Sequence, residues 1–117
     1  MAYLTAVNLA HILITGPLIV FVAVSHLLRR PISPIWYGAL LALAVVAILY
    51  HLYLLFSVDR GAYGRYINVL HLLIGALLLF VTASYFLSQH VNVFWYTLML
   101  VLGVGAIGYH LFMLLTR

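Results

Sequence analysis

Hydrophobic residues fill the chain in long runs that only a few charged positions interrupt. These runs are residues 1–28, 31–58 and 66–116. A membrane-spanning helix needs about 20 apolar residues, so each of the first two runs accommodates one span. The third is long enough for two spans, with a turn at its polar cluster, residues 88–92. The charged positions that separate the runs are Arg29, Arg30, Asp59, Arg60, Arg65 and Arg117.

The pattern predicts four transmembrane helices, at residues 6–28, 33–57, 66–88 and 92–116. Short loops join consecutive spans. The predicted fold class is therefore an all-α membrane protein, a four-helix bundle whose helices run up, down, up and down through the bilayer. Pro17 lies inside the first span, where we expect it to kink the helix.

Composition excludes several other classes of protein. Hydrophobic residues make up 68% of the 117 residues and charged residues 5%, with a mean hydropathy of +1.28. Soluble domains carry about 25% charged residues, so a soluble monomer is excluded. Cysteine is absent, which excludes disulfides and thiol nucleophiles. Five dispersed arginines form no stripe for nucleic acid. The lipid bilayer is the predicted partner, and a homo-oligomer or an association with other membrane proteins is left open.

The two halves of the sequence resemble each other. Residues 8–14 (NLAHILI) match residues 68–74 (NVLHLLI) at an offset of 60, and residues 48–53 (ILYHLY) match residues 107–112 (IGYHLF) at an offset of 59. The change of offset predicts a one-residue deletion in the turn. The chain is thus predicted to contain two helical-hairpin repeats, residues 1–58 and 66–117, joined by a polar loop at residues 59–65. Both hairpins enter from the same side, as in parallel repeats related by an axis along the membrane normal.

The repeat places four histidines at one predicted depth. His11 and His71 lie near the starts of spans one and three, whereas His51 and His110 lie near the ends of spans two and four. Those ends face the same side, so all four should lie roughly 8–10 Å inside one interface at about 1.5 Å per residue. Each histidine shares a helix face with polar and small residues, which predicts an inward orientation. In the first span this face comprises Asn8, His11, Thr15, Leu18, Val22, Ser25 and Arg29.

A layer of four imidazoles with no carboxylate at its level suits a transition-metal site for zinc, copper or iron. The predicted ligands are His11, His51, His71 and His110. Asn8 and Asn68 would orient these rings through hydrogen bonds.

Haem b is the second candidate ligand, with one diagonal histidine pair as its axial ligands. Arg60 and Arg65 lie on the side of the layer and could pair with the propionates. Room for the porphyrin would come from five small residues, Ala44, Ala47, Gly75, Gly103 and Ala106.

Two further functions remain open. One is a proton or ion channel, because histidine titrates near neutral pH, although Leu18, Leu40, Leu78 and Met99 form an apolar band across the spans. The other is a structural membrane component in which the histidines only hydrogen-bond between helices. Catalysis is not predicted, since Asp59 is the sole acid, and electron transfer would require the haem. His26 and His90, near the opposite turns, are expected at the membrane interface.

The stretches LHLLIG at residues 70–75 and GYHLF at residues 108–112, doubled along the chain, resemble those of a known group. The chain is similar to small four-span membrane proteins, of no assigned activity, encoded by nucleocytoplasmic large DNA viruses (giant viruses). This resemblance covers nearly the whole chain. It implies a viral or host internal membrane and assigns no functional residues.

Overall fold

The computed structural model describes residues 2–116, apart from the side chain of Ala2. The first span, α1, comprises three consecutive helical segments, Ala2–Ala10, His11–Thr15 and Gly16–Leu27. The other spans are α2 (Pro34–Ser57), α3 (Gly61–Phe86) and α4 (Val93–Leu115). No strand occurs among the described residues. The predicted class, an all-α membrane protein with four apolar helices, is confirmed. The up-down-up-down order stays a prediction, and Arg117 lies outside the described residues.

All four helices are long and apolar enough to cross a membrane. Only 17% to 28% of the most apolar part of each helix is buried within the protein, and large hydrophobic side chains cover the remainder. Leu13 is 67% exposed, Phe56 82% and Val101 61%. Apolar surface on this scale is not found on soluble monomers, whereas a bilayer solvates it. The chain is therefore a multi-pass integral membrane protein.

The chain forms two compact units. The first unit contains residues up to Trp36 and from Asn92 onward, and so consists of α1 and α4; the second, Tyr37–Val91, consists of α2 and α3. Each unit thus takes one helix from each predicted hairpin. The predicted boundaries at residues 58 and 66 follow the repeat and stay a prediction.

Within each unit the two helices are antiparallel. In the first unit His11 contacts His110 near one end, and His26 contacts Tyr96 near the other. In the second unit the corresponding contacts join His71 to His51 and Tyr85 to Tyr37. A short loop cannot join these helices in the first unit, where they are the first and last spans of the chain.

Glycines allow the helices of each unit to approach closely. A Cβ atom built on Gly75 would lie 2.7 Å from Cγ1 of Ile48, and one built on Gly103 would lie 3.0 Å from Cγ2 of Ile19. Neighbouring side chains of the same unit therefore occupy the space beside both glycines, where the sequence predicted room for a porphyrin.

A π-helical turn interrupts α1 at His11–Thr15. The N–H of Gly16 donates to the carbonyl oxygen of His11, five residues earlier instead of four. Such a turn accommodates one more residue than the α-helix around it. Pro17 follows directly, and the kink expected there stays a prediction.

The π-helical turn explains the change of offset between the repeats. Before it, His11 corresponds to His71 at an offset of 60; after it, Arg29 corresponds to Ser88 at an offset of 59, and both of these residues have a φ of 55°. The turns after α1 and α3 also share their hydrogen bonds, Arg29 N–H to His26 O and Ser88 N–H to Tyr85 O. The predicted deletion in the turn is therefore wrong, because the extra residue lies inside α1.

Burial along α1 agrees with the predicted inward face only in part. Gly16 and Ile19 are buried, whereas Thr15 and Leu18 are only half-buried. Val22 and Ser25, later on the same predicted face, are buried, so the inward orientation of Thr15 and Leu18 stays a prediction.

Candidate histidine site

The first unit brings His11 of α1 and His110 of α4 together. The His110 ring is buried, and its Nδ1–H donates to Oδ1 of Asn8 at 2.8 Å. The His11 Nδ1–H donates to the carbonyl oxygen of Val7 at 2.8 Å, within its own helix. The two rings stack with centroids 4.0 Å apart and an interplanar angle of 21°. A ring nitrogen of His11 lies within 4.8 Å of one of His110.

The second unit repeats this arrangement with His51 of α2 and His71 of α3. The His51 Nδ1–H donates to Oδ1 of Asn68 at 2.9 Å. The His71 Nδ1–H donates to the carbonyl oxygen of Ile67 at 2.7 Å. The two rings stack with centroids 4.3 Å apart at 23°. Both units therefore carry two histidines, one asparagine and one backbone carbonyl acceptor in closely similar geometry.

These hydrogen bonds decide the tautomer of each ring. A carbonyl or amide oxygen only accepts, so Nδ1 carries the proton in all four histidines. In the neutral ring this places the lone pair on Nε2. Histidines that ligate metals almost always donate their other ring N–H to a carbonyl, a carboxylate or water. The four rings therefore make the kind of hydrogen bond that metal-ligating histidines also make.

The two rings of a stacked pair would have to move in order to share one small ion. Two nitrogens of a tetrahedral zinc site are about 3.3 Å apart, from zinc–nitrogen distances of about 2.0–2.1 Å. Because the His11 and His110 nitrogens lie within 4.8 Å, they would have to approach by about 1.5 Å at most to share one ion. The rings would also have to turn, since the lone pairs of stacked rings lie in nearly parallel planes.

A porphyrin does not fit between the two rings of a pair. The axial ligands of a haem lie on opposite faces of the macrocycle, whereas the rings of His11 and His110 stack directly on each other at 4.0 Å. The same holds for His51 and His71 at 4.3 Å. Neither pair within a unit is therefore an axial pair.

Asn8 and Asn68 each bind a histidine of the neighbouring helix, whereas the sequence put each asparagine on the face of a histidine three residues later in its own helix. Both asparagines are buried. The Nδ2 atom of Asn8 is also buried, and it has no hydrogen-bond partner. A buried amide nitrogen without a hydrogen bond lowers the free energy of unfolding by about 1–3 kcal/mol. Asn8 therefore destabilises the first unit beside its histidine pair.

Arg60 and Arg65 are exposed at the start of α3. The side chain of Arg60 lies over Gly64, one turn later in the same helix. Their predicted pairing with haem propionates stays a prediction.

The other end of each unit holds an aromatic stack that sequence reasoning missed. His26 stacks on Tyr96 with centroids 3.6 Å apart at 8°, and Tyr85 stacks on Tyr37 at 3.6 Å and 5°. At an offset of 59, His26 corresponds to Tyr85 and Tyr37 to Tyr96. Applying the offset of 59 to α1 as far back as Gly16 would have shown that His26 corresponds to Tyr85. His90 is exposed.

No protein-family model, curated protein or solved structure matches this chain.

Proposed function

We propose that this protein is a small membrane protein that binds a transition-metal ion through His11, His51, His71 and His110. Each unit supplies two imidazoles. The sequence puts all four at one depth of the membrane, and four nitrogen ligands would complete the tetrahedral shell of zinc or copper. A viral or host internal membrane is the location we propose from the resemblance.

One observation carries the proposal. All four Nδ1–H groups are hydrogen-bonded to carbonyl oxygens, two from the backbone and two from asparagine side chains. In both units the lone pair is therefore on Nε2, the atom that would bind the ion. Two such pairs, built from different helices and carrying the same bonds, support a common role for the four rings.

A bare ion is favoured over haem b as the ligand. The rings within each unit stack on each other, which leaves for haem only a pair with one ligand from each unit, such as the predicted diagonal pair. Apolar side chains also pack against Gly75 and Gly103, two of the residues that were expected to make room for the macrocycle.

The second candidate function is structural, and a specific observation favours it. The bonds His110–Asn8 and His51–Asn68 each join two helices of one unit. Hydrogen bonds of this kind stabilise membrane helices by about 0.6 kcal/mol on average. If this is the function, the histidines stabilise each helix pair through these hydrogen bonds and bind no ion.

Metal titration of purified, metal-free protein distinguishes these functions. We expect cobalt(II), used as a spectroscopic substitute for zinc, to bind with one ion per chain and to give the intense visible bands of tetrahedral coordination. His110→Ala and His51→Ala should each abolish these bands while the protein stays folded. Asn68→Leu should weaken binding by about 10- to 100-fold, the usual effect of removing a group that orients a metal ligand.

His26→Tyr is the matched control, because tyrosine occupies the equivalent position in the second unit. It should bind cobalt as the unaltered protein does. Unchanged binding in both His110→Ala and His51→Ala would contradict the proposal. Ion flux into liposomes from metal-free protein, lost in the same two variants, would instead assign the channel.

A further inference from the structure

The first unit contains a groove far from its histidines, where α1 ends and the following loop begins. Its floor is the face of α1 from Val20 to Leu28, and the loop residues Pro31 and Ile32 form its wall. The volume is about 360 Å³, within the range of small-ligand sites, roughly 300–1,000 Å³. The floor is about 12 Å long at 1.5 Å per residue. Its lining is mostly apolar.

The polar groups of the groove lie at one end. Arg30 lines the groove beside the loop, and Ser25, which carries a hydroxyl group, lies two residues before the end of the helix. The first unit contains no aspartate or glutamate, because Asp59 is the sole acid of the chain and belongs to the second unit. The groove therefore combines an apolar floor with a cationic end, and its own unit contains no acidic side chain.

The turn itself does not require arginine. Ser88 and Gln89 replace Arg29 and Arg30 in the equivalent turn of the second unit, with the same backbone hydrogen bonds. Arg29 also adopts a positive φ of 55°, a conformation that costs a non-glycine residue about 1–2 kcal/mol. The backbone of this turn thus does not account for its two arginines.

We propose that this groove binds a phospholipid with an anionic head group. The guanidinium of Arg30 would bind the head-group phosphate through charge-assisted hydrogen bonds, and one acyl chain would lie along the face of α1 that contains Val20 and Val24. Basic pockets beside transmembrane helices bind anionic head groups in this way.

The shape of the groove selects a lipid over soluble phosphate. A phosphate ion would use only the Arg30 end and leave the apolar floor uncovered. Phe21 and Leu28 are 41% and 56% exposed, so this floor faces the surroundings of the helix, which in a membrane are acyl chains. The site does not depend on the histidines.

Native mass spectrometry of the full chain in detergent tests the proposal, with phosphatidylglycerol and phosphatidylcholine of identical acyl chains as probes. We expect phosphatidylglycerol to bind at least about fivefold more tightly, the effect of one basic residue near an anionic lipid. Arg30→Gln, which copies the second unit, should remove this preference. Val24→Trp, which fills the groove without changing charge, should weaken binding of both lipids.

Arg65→Gln is the matched control, since it removes one arginine outside the groove, and it should keep the preference. Equal loss in Arg30→Gln and Arg65→Gln would overturn the proposal, because general charge attraction would then explain binding. Unchanged binding in Val24→Trp would also overturn it. Displacement of phosphatidylglycerol by an equal concentration of glycerol phosphate would show a soluble-phosphate site and contradict the lipid assignment.

Discussion

Leucine substitutions at Asn8 and His110, singly and together, test how the buried polar pair of the first unit affects stability. The Asn8 Nδ2 is already buried and unsatisfied. Asn8→Leu removes that atom but leaves the His110 Nδ1–H without its acceptor. His110→Leu leaves both polar atoms of the Asn8 amide without a partner at this pair. The double variant removes every polar group of the pair.

The expected magnitudes follow from counting these groups at about 1 kcal/mol each. Asn8→Leu exchanges one unsatisfied group for another, so the free energy of unfolding should change little. His110→Leu adds one unsatisfied group and also loses the stack on His11, so it should be destabilised by about 1–2 kcal/mol. The double variant should be at least as stable as the unaltered protein. The coupling free energy between the two positions is then about 2 kcal/mol.

Reversible unfolding of metal-free protein in mixed micelles measures these free energies without a contribution from bound ion. Asn68→Leu with His51→Leu in the second unit is the control cycle. That pair is only partly buried and its asparagine has no buried unsatisfied atom, so its coupling should be smaller. A coupling below about 0.5 kcal/mol for Asn8 and His110, within the error of additivity, would refute this reasoning.

Three further predictions concern the backbone and the packing. Ser88→Gly should stabilise the protein by up to about 1 kcal/mol in thermal unfolding, because glycine adopts the positive φ of this position without steric cost; a lower melting temperature would contradict this. Gly103→Ala should destabilise by about 1–3 kcal/mol through overpacking against α1, whereas Gly105→Ala, with open space around its Cβ position, should not; equal effects would refute the packing argument. Deletion of Ile14 should be tolerated, since it converts the π-helical turn into the α-helix seen in α3, whereas deletion of Val24 rotates the end of α1 by about 100° and should cause aggregation in size-exclusion chromatography. Aggregation of both deletion variants would contradict the conclusion that the π-helical turn contains one extra residue.

The spans could be predicted from sequence because charge is so scarce. Arg29 and Arg30 end one apolar run, and Asp59 and Arg60 end the next, so the predicted helix boundaries differ from the observed ones by only a few residues. In a bilayer an apolar run of about 20 residues forms a helix whatever its neighbours are. Local composition was therefore sufficient to predict the positions of the four spans.

The partner of each helix was not predictable in the same way. The sequence repeat joins spans into hairpins, whereas the compact units join α1 to α4 and α2 to α3. This choice depends on close contacts, such as Gly75 with Ile48, and isoleucine and glycine are too common in apolar spans to indicate a partner.

The residues of the candidate site could be predicted from the sequence, but the contacts between them could not. Asn8 and Asn68 were singled out because each precedes a histidine by three residues on one face of a helix. The structure has each asparagine accept from a histidine of another helix, His110 or His51, which a pattern within one helix does not encode. The π-helical turn was missed because its signal, a change of offset within α1, was assigned to the loop.

Elemental analysis of the purified protein, without an affinity tag, tests the central claim most directly. The four-histidine site predicts close to one zinc or copper ion per chain, reduced to none in His110→Ala. Protein that holds no metal, even after loading with zinc and with copper and removal of excess ion, would contradict the claim and leave the histidines as hydrogen-bonding groups between helices.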